Sequence, residues 1–162
     1  MPDNLLHIGF TGSSTLGLSS ARKEVFAAIC TMLTRQGVFH HGDCIKADAD
    51  AHVVVQQLLG WRVEIHPPDV PTKRAFSKVG AEDVLHPARP YLIRNHDIVD
   101  ATQVLIAAPD SIYEKQRSGT WATVRYARKL SRPVVLIYPD GSVDIENRPV
   151  VARLVQLARG RE

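Results

Sequence analysis

The sequence has few cysteines and no long apolar run. Cys30 and Cys44 are the only cysteines in 162 residues, too few for a disulfide-rich secreted scaffold, so we expect a reducing, cytoplasmic environment. The first residues lack the basic and apolar regions of a signal peptide. No apolar segment approaches the ~18 residues that a membrane span needs, so no membrane partner is expected.

Aromatic residues are scarce, and neither sign of charge is concentrated. The formal net charge of +3 suits an anionic ligand, but the basic residues are scattered rather than arranged in a stripe. Aromatic residues make up only 6% of the chain, which is few for the stacking platforms of a single-strand nucleic-acid binder. The composition therefore favours a small anionic ligand over nucleic acid as the partner.

What the chain does contain is a regular alternation of apolar segments and helical patterns. Apolar segments at 5–11, 38–41, 62–66, 104–107 and 133–138 predict strands, and apolar residues at helical spacing between them predict helices. This alternation predicts an α/β fold: a doubly wound, mostly parallel Rossmann-like sheet with helices on both faces. We expect residues 1–162 to form a single ligand-binding domain.

The first strand is followed by a loop rich in small and hydroxyl residues. In doubly wound sheets, ligands bind outside the carboxyl ends of the strands, where Gly12, Ser13 and Ser14 lie. Gly12 permits a tight backbone, and the hydroxyls with the free amides of the next helix predict a phosphate or ribose cradle. The loop matches neither the GxGxxG nor the Walker pattern, and an ordinary capped turn is the alternative interpretation.

The second strand ends at Gly42 and Asp43. A carboxylate at this edge of the sheet is suited to accept hydrogen bonds from ribose hydroxyls. His40, His41 and Cys44 lie beside it, but they lack the paired spacing of a zinc site. The sequence therefore predicts a ligand-binding loop here and no metal site.

Two further segments precede and follow the fourth predicted strand. Arg94 and Asn95 precede it, and the Arg94 guanidinium is suited to a phosphate or a ligand carboxylate. The alternative is a surface ion pair between Arg94 and Asp97 or Asp100. The other segment, Ser118-Gly119-Thr120, opens a helix, where backbone N–H groups without intrahelical acceptors face outward and favour an anion.

In their order along the chain, these motifs resemble the SLOG superfamily. The shared features are Gly42-Asp43, the Ala47-Asp48-Ala49 step, "IRNHDIV" and "SGTW", within roughly residues 5–138. The superfamily includes LOG-type nucleotide phosphoribohydrolases, molybdenum-cofactor carrier proteins, the YspA-like group and the Rossmann domain of DprA. The resemblance implies a Rossmann-like domain that binds a nucleotide-like ligand, often as a homodimer. It matches Gly12, Ser13, Gly42, Asp43, Arg94, Asn95, Gly119 and Thr120 to the family's ligand-binding positions.

The chain departs from the LOG-type pattern where the catalytic acid is expected. LOG-type enzymes carry Pro-Gly-Gly-x-Gly-Thr followed by a glutamate, whereas this chain has Gln116-Arg117-Ser118 before Gly119, and Ala122 and Thr123 at the acid positions. The resemblance therefore implies a carrier or sensor for a phosphorylated nucleotide-like or pterin-type ligand. The alternative is a nucleotide N-glycosidic hydrolase with a non-standard acid, for which the candidates are Asp43, Asp97, Asp110 and Glu114. Whether the protein is an enzyme stays open.

Overall fold

A computed structural model describes residues 4–160. The strands are β1 (Leu6–Gly12), β2 (Gly37–His41), β3 (Arg62–Ile65), β4 (Val84–Leu85), β5 (Val104–Ala108), β6 (Val134–Ile137) and β7 (Val143–Glu146). The helices are α1 (Ser20–Leu33), α2 (Ala47–Val54), α3 (Tyr91–Asp100), α4 (Gly119–Lys129) and α5 (Arg148–Arg159). A π-helical segment, Val55–Leu59, extends α2.

The strands form one seven-stranded sheet in the order β4-β3-β2-β1-β5-β6-β7. Every neighbouring pair is parallel except β6 and β7, which are antiparallel. The predicted α/β, mostly parallel Rossmann-like fold is confirmed. The sheet gains two edge strands that the sequence pattern did not predict, because β4 has two residues and β7 is a partly exposed hairpin partner of β6.

Two apolar layers hold the helices against opposite faces of the sheet. On one face, Phe10 of β1, Phe26 of α1 and Phe39 of β2 meet with ring centroids 5.4–5.8 Å apart. On the other face, Trp121 and Val124 of α4 belong to a second buried cluster with residues of β5 and β6. Helix α1 therefore follows β1 onto one face, and α4 follows β5 onto the other.

No helix among residues 4–160 is long and apolar enough to cross a membrane.

Candidate functional site

The candidate site is a crevice at the carboxyl ends of the neighbouring strands β1 and β5. The helices that follow these two strands pack on opposite faces of the sheet. This is the topological switch point at which doubly wound sheets bind ligands. A cavity of about 270 Å³ lies there. Its lining comprises Gly12, Ser13, Ser14, Thr15, Tyr91, Asp110, Lys115, Arg117, Ser118, Gly119 and Thr120.

The loop after β1 forms one wall of this cavity. The Ser13 hydroxyl accepts hydrogen bonds from the amides of Thr15 and Leu16, each at 3.0 Å, and the Ser13 amide donates to the Ala108 carbonyl of β5 at 3.1 Å. A Cβ on Gly12 would lie 2.5 Å from the Cβ of Ala47, so only glycine fits this close approach of β1 to α2. The loop is therefore held by its own hydrogen bonds, and Ser14 and Thr15 are exposed at the cavity.

The first turn of α4 forms the opposite wall. Ser118 caps the helix by accepting a hydrogen bond from the Trp121 amide at 3.2 Å. The amides of Gly119 and Thr120 belong to the first turn, which has no intrahelical acceptors and carries the positive end of the helix dipole. A Cβ on Gly119 would overlap the Tyr91 side chain, so the absence of a side chain at Gly119 lets Tyr91 approach the helix start.

Charged side chains between the two walls leave the cavity with a net positive charge. Lys115 and Arg117 are exposed cations, and Asp110 is the one carboxylate among the described residues of the lining. Asp110 accepts hydrogen bonds from Lys115 Nζ at 2.9 Å and from the Thr15 hydroxyl at 3.3 Å. The hydrogen bond from Lys115 lowers the pKa of Asp110 below its ordinary value. Two cations against one carboxylate favour an anionic ligand.

Arg94 lies behind the cavity and is only 2% exposed. Its guanidinium donates hydrogen bonds to the carbonyls of Gly42 and, at 3.2 Å, of His66. It also stacks over the Tyr91 ring, with its central carbon 4.8 Å from the ring centroid. Arg94 thus joins the ends of β2 and β3 to a residue that lines the cavity.

The alternative interpretation of Arg94 as part of a surface ion pair is wrong. The residue is buried, and both candidate partners bond to other side chains: Asp97 pairs with Arg89 at 2.8 Å, and Asp100 accepts from the Tyr126 hydroxyl at 2.7 Å.

Asp43 and Asn95 are also buried. The Asp43 carboxylate accepts hydrogen bonds from Arg74 Nε and from the Ser77 amide, both at 3.0 Å. It therefore fastens the segment around residues 74–77 against the end of β2. The Asn95 amide nitrogen finds no hydrogen-bond partner among the described residues. Within residues 4–160, the cavity lining does not include Gly42, Asp43, Arg94 or Asn95, so contact between these residues and a ligand stays a prediction.

The candidate acids differ in their access to the cavity. Glu114 pairs with Arg128 at 2.6 Å and with Arg125 at 3.4 Å, and the hydrogen bond from Arg128 lowers its pKa. At the expected acid position, the Thr123 hydroxyl donates to the Gly119 carbonyl at 2.8 Å. Asp110 lines the cavity, whereas Asp43, Asp97 and Glu114 do not belong to the lining.

Sequence reasoning missed Tyr91 as a lining residue. Tyr91 begins α3 and lies far from Gly119 along the chain, and no local motif marks it. Only its close approach to Gly119 shows that it belongs to the site.

A larger groove of about 510 Å³ lies between α1 and α5. Its lining includes the aliphatic side chains of Ile145, Val151 and Val155, with Met32 near the end of α1. Because α1 runs antiparallel to β1, this groove lies toward the opposite end of the sheet from the switch point. Its lining also contains Arg148, Gln156 and Arg159. The groove is nevertheless remote from the switch point at which doubly wound sheets bind ligands, so the smaller polar cavity is the better candidate site.

The sequence matches no family model and no curated protein sequence. Solved structures share its fold. The molybdenum cofactor binding protein from Rippkaea orientalis is 16% identical with a TM-score of 0.61, and the alignment covers 96% of this chain and 86% of that protein. The molybdenum cofactor carrier protein from Chlamydomonas reinhardtii is 18% identical with a TM-score of 0.53, over 82% of this chain and 76% of that one.

DNA processing protein A (DprA) from Streptococcus pneumoniae has the same fold over part of its length. It is 16% identical with a TM-score of 0.62, and the alignment covers 97% of this chain but 56% of DprA. At such identities the likeness shows the fold. The Rossmann-like fold that the resemblance to the SLOG superfamily implies is confirmed.

Proposed function

We propose that this protein binds a small phosphorylated, nucleotide-like ligand in the cavity between the loop after β1 and the start of α4, as a carrier or sensor. The observation that carries the proposal is the convergence of three kinds of anion-binding group on one cavity. These are the first-turn amides of α4, the cations Lys115 and Arg117, and the exposed hydroxyl of Ser14. Backbone amides at a helix start together with basic side chains are a common phosphate site.

A phosphorylated pterin is one ligand class that this site suits. Two proteins that share this fold are a molybdenum cofactor binding protein and a molybdenum cofactor carrier protein. In this chain, the α4 amides, Lys115 and Arg117 would hold the phosphate of such a group. The cavity of about 270 Å³ is near the lower end of the ~300–1,000 Å³ common for ligand pockets. It therefore suits the phosphorylated end of a ligand whose flat part extends toward the exposed Tyr91.

Isothermal titration calorimetry tests the proposal with inorganic phosphate, AMP, GMP and a phosphorylated pterin. A ligand at 100-fold over its Kd should also stabilise the fold by ~2.7 kcal/mol. Arg117→Ala should weaken binding about 10- to 100-fold, because it removes a charge-assisted hydrogen bond. The matched control is Arg153→Ala, which removes an exposed arginine from α5. An absence of heat and of thermal shift across the whole panel would refute the proposal.

We also propose that the chain forms a cytoplasmic homodimer, with residues 1–162 as one domain. The support for a dimer is an exposed apolar face on α3, where Leu92 is 59% exposed and Ile93 is 42% exposed. Light scattering should give the mass of two 17.9 kDa chains, and Leu92→Glu with Ile93→Glu should give one. A monomer mass for the unmodified protein at micromolar concentrations would contradict this proposal.

A hydrolase of nucleotide N-glycosidic bonds is the second candidate, because Asp110 lines the cavity. Such a reaction needs a carboxyl group within hydrogen-bond reach of the reacting atoms. Asp110 meets the requirement of position, but its lowered pKa favours the ionised form. It is therefore suited to act as a base or to orient a water molecule rather than to donate a proton.

A further inference from the structure

A group of histidines and a glutamate lies on the face of the sheet opposite α1. Strand register explains how it assembles: His40 of β2 lies directly opposite Glu64 of β3 and opposite Gly9 of β1. His7, two residues before Gly9, is therefore the diagonal neighbour of His40 on the same face. His7 Nδ1 lies 2.7 Å from His40 Nε2, and His40 Nε2 lies 3.7 Å from a Glu64 carboxylate oxygen.

We propose that His7, His40 and Glu64 bind a divalent transition-metal ion of the zinc class. One ligand atom from each residue lies within 4.8 Å of the others. Two imidazoles and one carboxylate form a common three-residue set for Zn²⁺, which leaves a further position for water or substrate. The site uses residues other than those of the phosphate cavity. His7 is five residues before Gly12 on β1, roughly 16 Å at the usual rise per residue.

The distances define the movement that metal binding requires. Ligand nitrogens 2.0–2.1 Å from a tetrahedral ion lie ~3.3 Å apart. The His7 and His40 nitrogens, at 2.7 Å, must therefore separate by ~0.6 Å, and the Glu64 oxygen, at 3.7 Å, must approach by ~0.4 Å. The His7 and Glu64 ligand atoms, which lie within 4.8 Å, must also close to ~3.3 Å, and Arg62, now 3.4 Å from the same Glu64 oxygen, must give way to the ion. His7 is half-buried and the Glu64 side chain is 14% exposed, so an ion can reach the site from their side.

Neighbouring side chains orient the ligands. His40 Nδ1 lies 2.9 Å from His66 Nε2, so with the metal on Nε2 the remaining proton sits on Nδ1 and is donated to His66. His86 contacts the other oxygen of Glu64 at 2.8 Å and stacks on His66 with ring centroids 4.2 Å apart. Such outer partners fix the tautomer and orientation of metal ligands in proteins.

The protonation state of the buried imidazoles is compatible with metal binding. Burial, reinforced by the neighbouring histidines His66, His7 and His86, lowers the pKa of His40 to about 2. Burial also lowers the pKa of His66 to about 3, with His86 contributing. Both rings are neutral at pH 7, the form in which imidazole binds a metal. Binding then shifts protons between ring nitrogens and needs no other reactant.

The test uses the full chain, stripped with EDTA and dialysed. Zn²⁺ binding is measured by calorimetry, and Co²⁺ binding by its visible absorption bands, with Mg²⁺ as a hard-cation comparison. We expect one Zn²⁺ or Co²⁺ per chain and no Mg²⁺ binding. Glu64→Gln and His7→Gln should each weaken Co²⁺ binding at least ~10-fold. His96→Gln is the matched control, because His96 is exposed and stacks on Tyr126 away from this site.

Two results of the binding experiments would overturn the assignment. One is an absence of stoichiometric Zn²⁺ or Co²⁺ binding by the unmodified protein at micromolar concentrations. The other is binding that Glu64→Gln and His7→Gln leave unchanged, which would place the metal elsewhere. X-ray absorption of the Zn²⁺-loaded unmodified protein gives a check that does not depend on whether the variants fold. It should show nitrogen and oxygen ligands at 2.0–2.2 Å, as in known zinc sites, with imidazole scattering. A shell without imidazole would also overturn the assignment.

Discussion

Replacing Arg94 with methionine should destabilise the fold strongly, although Arg94 lies outside any regular ion pair. The guanidinium is buried and donates to the carbonyls of Gly42 and His66. Hydrogen bonds that involve a charged group contribute ~1.5–3 kcal/mol each, and a buried acceptor left without a donor carries a further cost. Methionine fills much of the arginine's volume, so the change removes the donors with little loss of packing.

We expect a loss of about 3 kcal/mol in the free energy of unfolding, which is the lower limit for two charge-assisted hydrogen bonds. For a chain of this length, 1 kcal/mol corresponds to ~2–4 °C in Tm, so Tm should fall by ~6–12 °C. Urea unfolding followed by circular dichroism at pH 7 measures the difference directly. The matched control is Arg89→Met: Arg89 is 51% exposed and pairs with Asp97, and exposed ion pairs contribute ~0–1 kcal/mol.

Ligand titration with the same variant separates a supporting role for Arg94 from direct contact. If Arg94 only holds Gly42, His66 and Tyr91 in place, the folded Arg94→Met protein should keep phosphate binding to within a few-fold. Direct contact would add a loss of about 10- to 100-fold, as for a charge-assisted hydrogen bond. Equal stabilities of Arg94→Met and Arg89→Met would refute the argument from burial.

Three further perturbations test other parts of the structure. Burial raises the pKa of Asp48 to about 6 from 3.8, so between these pH values the native state holds a proton that the unfolded state has lost, and stability falls as pH rises from about 4 to 6. Asp48→Asn should remove this fall, which is worth ~3 kcal/mol. A urea–pH profile that the substitution leaves unchanged would contradict this prediction. Gly119→Ala should displace Tyr91 and weaken phosphate binding. In a double-mutant cycle, Gly119→Ala should have no further effect once Tyr91 is alanine. Additive losses of phosphate affinity, measured by calorimetry, would disprove the contact. The protein should release free base very slowly or not at all from AMP, its 2′-deoxy analogue or cytokinin monophosphates, because Lys115 keeps Asp110 ionised and unable to donate a proton. Brisk release that Asp110→Asn abolishes would establish the enzyme alternative.

The sequence predicted the parts of the fold that depend on local periodicity. The apolar segments at 5–11 and 104–107 correspond closely to β1 and β5, because central strands that are covered on both faces are mostly apolar. The edge strands β4 and β7 were not predicted, because they lack a long apolar segment: β4 is only two residues long and β7 is partly exposed. Strand pairing at an edge comes from neighbours in space, which local periodicity does not record.

The sequence identified the loops that line the candidate site, but it did not identify every side chain that lies between them. Gly12, Ser13 and the Ser118-Gly119-Thr120 start of α4 line one cavity, because carboxyl ends of adjacent parallel strands share an edge. The sequence placed Arg94 at the same edge of the sheet, yet Arg94 lies behind the cavity. It belongs to the buried face of α3, and the sequence alone does not indicate which face of this helix is buried. Of the His7, His40 and Glu64 group, the sequence marked only His40, since the three members come from three different strands.

The geometry of α4 also explains why anion binding and acid catalysis can be separated in this fold. The amides of Gly119 and Thr120 are backbone groups, so substitutions in the same turn leave them in place while the helix persists. A catalytic acid is a side chain, and one substitution removes it. Here Thr123 uses its hydroxyl on the Gly119 carbonyl, and Trp121 packs into the buried cluster with β5 and β6. The helix start therefore keeps its backbone donors, while neither Trp121 nor Thr123 supplies a proton donor near neutral pH.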